Sequence, residues 1–378
     1  MSEVAGAAVR EILVFRSAAL GDFILATPAL AAVRRQFPGR RIVLLTTTSA
    51  SKEQRAKVAA YAGNSPALQH SLPWTAMATP HLLDETLVVP DLASRQGLRL
   101  ARAQLRGRHF ECALMLLDPA SPWPGRVKKW AMLKWVTGGA TVLGWRARGS
   151  FNGDRERLRA RSLLGHHVHG PMQFLREMKP PRMHDAADIR FDLRPGADAQ
   201  CWAQDWARTH AIGLRVVAVA PGSIQPHKRW PIERFEALCR SLLDEFGDIL
   251  LLVIGTPTDR ELGQRLAALA PRRILNLAGE SSIAQSAALL ARCALLVGND
   301  GGAMHLGDAM GARVVSIVPG LEFPDSIEPW HNADRAVRHP VPCAPCYSFS
   351  HCPVAHNACM RELPLEPVLH QCRRALTE

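Results

Sequence analysis

The chain has 378 residues, 47% of them apolar and 21% charged, with a formal net charge of +12. That length exceeds one ordinary core and favours two domains, and the composition excludes collagen-like, low-complexity and wholly disordered classes. The basic balance suits an anionic partner (nucleic acid, an anionic membrane face or a phosphorylated substrate), or else a solvated arginine-rich surface.

In chain order, "EILVFRS" reads as a buried strand and "ATPALAAVRRQFP" as a helix, with Thr27 as its cap and Pro28 at its first position. "RIVLLTT" is the next strand and "SKEQRAKVAAYAG" the next helix; "DETLVVP", "LASRQGLRLARAQLR", "HFECALMLLDP" and "TVLGW" continue the alternation. A Trp- and Lys-rich helical stretch, "PWPGRVKKWAMLKWVTGG", lies between the last two, and residues 149–181 are Arg- and His-rich and read as irregular. The second half is more regular. "LRVVAVAPG", "DILLLVIG", "RILNLAG", "ALLVGND" and "RVVSIVPG" are strands, separated by amphipathic helices such as "PIERFEALCRSLLDEFG". This order predicts βαβ units on parallel sheets. We expect two Rossmann-like domains, 1–191 and 213–378, joined by a Pro195–Gly196-containing linker at 192–212, with ligands at the carboxyl ends of the strands.

No apolar run approaches the ~20 residues of a membrane span. The N-terminus, interrupted by Glu3, Arg10, Glu11 and Arg16, does not read as a signal peptide, so a cytoplasmic protein is expected. Nine cysteines, an odd number, fit a reducing compartment.

Three loops and one cysteine cluster could carry chemistry. "LVGNDGGAMHLGDAMG" passes from strand to helix through Asn299, Asp300 and Gly301; Gly302 opens the helix and His305 lies in its first turn. Backbone N–H groups and the positive end of a helix dipole form an anion site there, or the stretch is only a turn capped by Asp300. "RSAALGDFILATP" places Asp22 at a helix start, either as an N-cap or as a general base. "APGSIQPHKRWP" offers the Ser223 hydroxyl and the Lys228 and Arg229 charges to a phosphate, or is a surface loop; neither a Walker A nor a G-x-G-x-x-G pattern is present. Cys343, Cys346, Cys352 and Cys359, with His351 and His356 nearby, are spaced for a structural zinc or iron, free thiols or a redox-dependent disulfide.

Taken together, "ILVFRSAALGDFILATPALAAVRRQFP", "PGSIQPHKRWPIERF", "NLAGESSIAQSAALLARCALLVGNDGGAMHLGDAMG" and the closing "CAPCY…CP…CM" resemble glycosyltransferase family nine, the bacterial lipopolysaccharide heptosyltransferases. The resemblance covers most of the chain and is weakest over 145–190. It implies a GT-B architecture with a cleft between the domains, and inverting, metal-independent transfer of a heptose, typically from ADP-L-glycero-D-manno-heptose, to an anionic lipid-linked core sugar. By the same resemblance, Asp22 matches the general base. Ser223, Lys228, Asp300, Gly301, Gly302 and His305 match the donor-binding residues. Lys52, Arg55, Lys57, Arg126, Lys128 and Lys129 are candidates for meeting acceptor phosphates or the cytoplasmic face of the inner membrane, or else belong to solvated helix faces. Gly301 stands where the family usually has Ser or Thr, Ala303 where it often has Pro, and Gly307 where it commonly has Ala. The competing readings are a transferase using another activated sugar and a non-catalytic basic protein binding nucleotides or nucleic acid. No helix-turn-helix, RRM or KH signature supports the last, and no nucleic-acid partner is expected.

Overall fold

A computed structural model of the chain describes residues 10–16, 19–47, 72–89, 92, 94–117, 123–146, 166–348 and 351–378. The chain divides into two compact units whose main boundary falls between Asp192 and Leu193.

The first unit is a five-stranded parallel sheet in the order β3-β2-β1-β4-β5, built from β1 (Glu11–Phe15), β2 (Arg41–Thr47), β3 (Glu85–Val89), β4 (Phe110–Met115) and β5 (Thr141–Leu143). β1 is buried along its whole length and pairs on both sides, Leu13 opposite Val43 and Ala113, which is why it reads as a continuous apolar run. Helices α1 (Leu20–Gln36), α2 (Arg95–Leu105) and α3 (Trp123–Val136) follow β1, β3 and β4. Leu13, Val43, Ala101, Leu105, Leu133 and Val136 share the core beneath α2 and α3.

α1 begins earlier than the sequence suggests. Thr27 and Pro28 lie inside it, not at its start. Proline has no N–H to return to the carbonyl four residues back, that of Ile24. The Thr27 hydroxyl donates to that oxygen at 2.8 Å and replaces the missing bond. The Thr–Pro pair that looked like a cap is therefore a repair within the helix. Residues 166–177, expected to be irregular, form short 3-10 turns at His167–His169 and Pro171–Glu177 whose Val168, Met172, Phe174 and Leu175 are buried.

The second unit has the sheet order β10-β9-β6-β7-β8, from β6 (Arg215–Ala220), β7 (Ile249–Val253), β8 (Ile274–Asn276), β9 (Leu295–Asn299) and β10 (Val314–Ile317), again all parallel. Its helices are α4 (Ala197–His210), α5 (Ile232–Glu245), α6 (Arg260–Ala267), α7 (Ile283–Leu290), α8 (Gly302–Ala309), α9 (Ala358–Arg361) and α10 (Leu365–Thr377). α4 occupies most of the 192–212 stretch expected as a linker. Phe235, Leu238 and Leu242 of α5 bury the face read from their spacing, together with Val368, Leu369 and Cys372 of α10.

In each sheet the order of strand addition reverses next to the first strand, between β1 and β4 and between β6 and β9. In open parallel sheets the carboxyl ends flanking such a switch leave a crevice where ligands bind. Asp22 follows β1, Ser223 and Lys228 follow β6, and Asp300 follows β9. Among the described residues no helix is long and apolar enough to cross a membrane.

Candidate active site

The loop after β6 is held to the end of β9 by one side chain. Asn299 accepts the Trp230 N–H at 2.9 Å and donates to the Pro221 carbonyl at 2.7 Å. Trp230 is buried, donates its indole N–H to Leu363 O and packs edge-on against Phe235. The chain between Pro221 and Trp230 is thus pinned at both ends. Arg229 spends its guanidinium on the Ser223 carbonyl, with contacts of 3.0 and 2.8 Å, and so shapes the loop instead of presenting a free charge.

Lys228 is brought to Asp300. The ammonium lies 3.0 Å from the carboxylate, and both side chains are largely buried. Burial works to raise the Asp300 carboxyl, but Lys228, then His305 and Arg338, outweigh it and hold it below its ordinary range. Asp300 is therefore not a cap. The N-cap of α8 is Gly301, with no side-chain cap, which leaves the helix's first N–H groups to be satisfied by water or a ligand. His305 is buried in α8.

Gly301 is extended, at φ 166°, and a Cβ there would meet nothing closer than 3.9 Å. The backbone makes no demand for glycine at this position, so the departure from Ser or Thr costs a hydroxyl and nothing else. Gly307 differs. A Cβ on it would stand 2.5 Å from Leu296 Cδ2, so its absence lets α8 settle close on β9.

Asp259, at the start of α6, escaped the sequence reading. It is buried; one carboxylate oxygen accepts from the Thr256 N–H and hydroxyl at 2.8 and 2.7 Å, and the other has no hydrogen-bond partner among the described residues. A Cβ on Gly222 would lie 2.4 Å from this carboxyl group, so only glycine lets the turn after β6 pass so close. A buried polar oxygen left without a partner is costly, and this one stands beside the Ser223 loop, placed to meet a ligand hydroxyl. An Asp two residues after a Thr-Pro reads as an ordinary cap, so no local pattern announced it.

Behind α8, Asp308 accepts from the His331 N–H (3.0 Å), the His331 ring (3.2 Å) and the Asn332 amide (2.7 Å), while Asn332 accepts from Val314 N. The hydrogen bond to Asp308 outweighs burial and raises the His331 pKa above its ordinary 6.5. A raised value stabilises the fold fully below the unfolded pKa and loses that contribution as pH rises through the folded one. We expect the melting-temperature gap between the native chain and His331→Ala to be wide at pH 6 and to narrow on going to pH 8.5; a gap independent of pH would mean that the ring carries no charge there.

In the first unit, Asp22 lies in the first turn of α1 with its side chain about half exposed, 47%. Ala19 is the N-cap, so Asp22 is not one. Buried Arg16 stands beside it: Nη2 is 3.7 Å from the carboxylate and donates to the Asp22 carbonyl at 3.2 Å, and Nη1 donates to Leu116 O at 2.9 Å. Arg16 thereby ties the base of α1 to the ends of β1 and β4.

The acceptor candidates separate. Lys52, Arg55 and Lys57 lie outside the described residues. Lys128 is exposed and Lys129 partly so. Arg126 is fully buried, contrary to expectation, because it shares the inward face of α3 with Leu133 and Val136. In the cysteine segment all four thiols are free, and burial first, then Cys346, Cys343 and Cys352, push the Cys359 thiol up. Among the described residues, however, no three His, Cys, Asp or Glu side chains are grouped as the ligands of an ion. The segment also braces the strand-end loop, with Cys346 N and Tyr347 N donating to Gly320 O and Leu321 O.

Two Rossmann-like parallel sheets, each with its candidate residues at the switch point, place the chain in the GT-B class of α/β proteins. The profile of glycosyltransferase family 9 (heptosyltransferase) matches residues 103–353, and the chain belongs to that family. Over 128 residues it is 34% identical to lipopolysaccharide heptosyltransferase 2 of Escherichia coli, covering 32% of this chain and 36% of that protein. Over 169 residues it is 27% identical to lipooligosaccharide heptosyltransferase 2 of Campylobacter jejuni, covering 43% of this chain and 52% of that one. The chain thus spans about half or less of the length of these curated relatives. In fold it resembles the crystal structure of the family 9 glycosyl transferase from Veillonella parvula, with a TM-score of 0.69 and 19% identity over 98% of each chain.

Proposed function

We propose that the protein is an inverting glycosyltransferase that moves a heptose from ADP-L-glycero-D-manno-heptose to an anionic, lipid-linked core saccharide of lipopolysaccharide. The observation that carries this reading is the buried Lys228–Asp300 pair in front of the uncapped N-terminus of α8. Family membership and the names of the Escherichia coli and Campylobacter jejuni relatives support the sugar and the acceptor class.

In this reaction the acceptor hydroxyl attacks the anomeric carbon on the face opposite the diphosphate. Asp22 takes the proton, the bond to the diphosphate oxygen breaks, and ADP leaves with its electron pair. Lys228, the Ser223 hydroxyl and the N–H groups of Gly302 and Ala303 stabilise the growing negative charge. An ionised carboxylate only accepts hydrogen bonds, so Asp300 orients the Lys228 ammonium and takes sugar hydroxyls, not phosphate oxygens. Asp259 takes a hydroxyl of the nucleoside by the same argument. The chemistry asks for no metal, because lysine and helix terminus supply the positive charge. The protein works at the cytoplasmic face of the inner membrane, in peripheral contact with it.

The test is incubation with ADP-heptose and a heptose-deficient core acceptor. ADP release and a heptosylated product are expected. ADP release with another nucleotide sugar alone would change the donor, and no turnover together with steeply salt-dependent nucleic-acid binding would replace the reading altogether.

A further inference from the structure

The helix pair α2 and α3 turns the wrong face outward for an ordinary surface helix. Residues 123, 127, 131 and 134 of α3 fall on one side at 3.6 residues per turn. The inward side carries Arg126, Leu133 and Val136, all buried. The outward side carries Trp123 (48% exposed), Val127 (37%) and Trp135 (43%), and α2 adds Leu100 (43%). These are four of the nine large hydrophobic residues exposed among the described residues, and they lie on two adjoining helices. Arg102 of α2 stacks 4.3 Å over the Trp135 ring and joins the two. Trp145 lies against Trp123 and Trp130 at 5.6 and 5.4 Å and holds the start of α3 in place.

The charges around this patch are of one sign. Residues 95–110 and 123–146 contain ten Lys and Arg and no Asp or Glu. Arg95, Arg99, Arg106 and Lys128 are exposed around the apolar centre, and among the described residues none of them is in an ion pair with a carboxylate. Exposed patches of this kind mark interaction sites. Tryptophan, with an apolar body and a polar N–H, favours the headgroup region, while arginine and lysine meet lipid phosphates. A nucleic acid would use the arginines and the rings but has no place for Leu100 and Val127.

We propose that the outward face of α2 and α3 is the surface by which this protein docks on an anionic lipid bilayer. Trp123, Val127, Trp135 and Leu100 enter the headgroup–acyl boundary, and the surrounding arginines and Lys128 bind lipid phosphates. The proposal rests on the reading of a lipid-linked acceptor for its purpose. Its test uses neither donor nor acceptor, so it fails or stands independently of the transfer reaction.

The full chain is sedimented with vesicles of phosphatidylglycerol and phosphatidylethanolamine, and with phosphatidylcholine alone, at low and high salt. Binding to the anionic vesicles that weakens with salt and shifts tryptophan emission to the blue is expected. The pair Trp123→Ser and Trp135→Ser, compared with the native chain at equal circular dichroism, is expected to lower the vesicle partition coefficient about tenfold or more. Arg99→Glu with Arg106→Glu is expected to do the same at low salt while leaving circular dichroism unchanged. No binding to anionic vesicles overturns the proposal, as does equal binding to phosphatidylcholine or equal binding by both variants. A concentration-dependent dimer abolished by the tryptophan variant would assign the face to a second copy and overturn it as well.

Discussion

Asp22→Asn is expected to lower the rate of sugar transfer by about 10²- to 10⁴-fold, the usual loss when a positioned proton acceptor is removed. The side chain sits in the first turn of α1, about half exposed, with the Arg16 guanidinium 3.7 Å away and the Arg16 side chain bonded to the same turn. Asparagine keeps the shape and the exposure and removes only the capacity to take a proton. The helix therefore remains, and a thermal melt should move little. Donor affinity, measured by calorimetry with ADP, should also be kept, because the residues assigned to the donor follow β6 and β9 of the other unit. A variant that turns over at the native rate would remove Asp22 from the chemistry. One that loses rate and ADP affinity together would point to a role in binding instead.

Lys228→Met is expected to have two separable effects. The ammonium is the nearest positive charge to Asp300, whose side chain is only 6% exposed. Removing one partner of a buried ion pair leaves the other charge uncompensated and costs about 3–5 kcal/mol of stability. The sign with pH follows from the Asp300 carboxyl, which Lys228 helps hold below its ordinary range. The contribution of that carboxyl is present above the unfolded value of about 4 and is lost as pH falls through the folded one. The variant should therefore differ most from the native chain at neutral pH and least in acid. Pairing it with Asp300→Asn should return most of the stability, since no buried charge is then stranded, but should not return ADP binding. If the double variant binds ADP as the native chain does, Lys228 does not meet the diphosphate; if Lys228→Met melts like the native chain, the pair is not buried in solution.

Much of the second unit was legible because its strands are buried on both faces and its helices on one. "ILLLV" and "LLVGN" read as strands without reference to anything distant, and Phe235, Leu238 and Leu242 repeat at the helical period. The strand-to-helix passage at Asn299–Gly302 was readable for the same reason. α1 was harder. Its apolar residues run almost all the way round, so periodicity does not mark its start, and Thr27–Pro28 carried a stronger local signal for a cap than for the interior. The stretch at 166–177 has no period because 3-10 turns packed on neighbours bury residues without one.

The partnerships within the candidate site follow a different rule. Asp22, Ser223, Lys228, Asp300 and His305 were singled out one by one, from residue type and place in a loop. That Lys228 meets Asp300 and that Asn299 pins the loop carrying Lys228 depend on residues roughly 70 positions apart, and that Arg229 turns inward to Ser223 follows from the shape this pinning gives the loop. Arg126 and Lys128 are two positions apart in one basic helix, and only the packing of α3 sends one into the core and the other to the surface. Local chemistry, periodicity and turn residues determined the class of fold and the loops that could hold an anion, because those depend on neighbours along the chain. The pairing of charges, the unpartnered oxygen of Asp259 and the outward face of α3 were decided by tertiary structure alone, because each depends on what a side chain meets across the sheet or fails to meet.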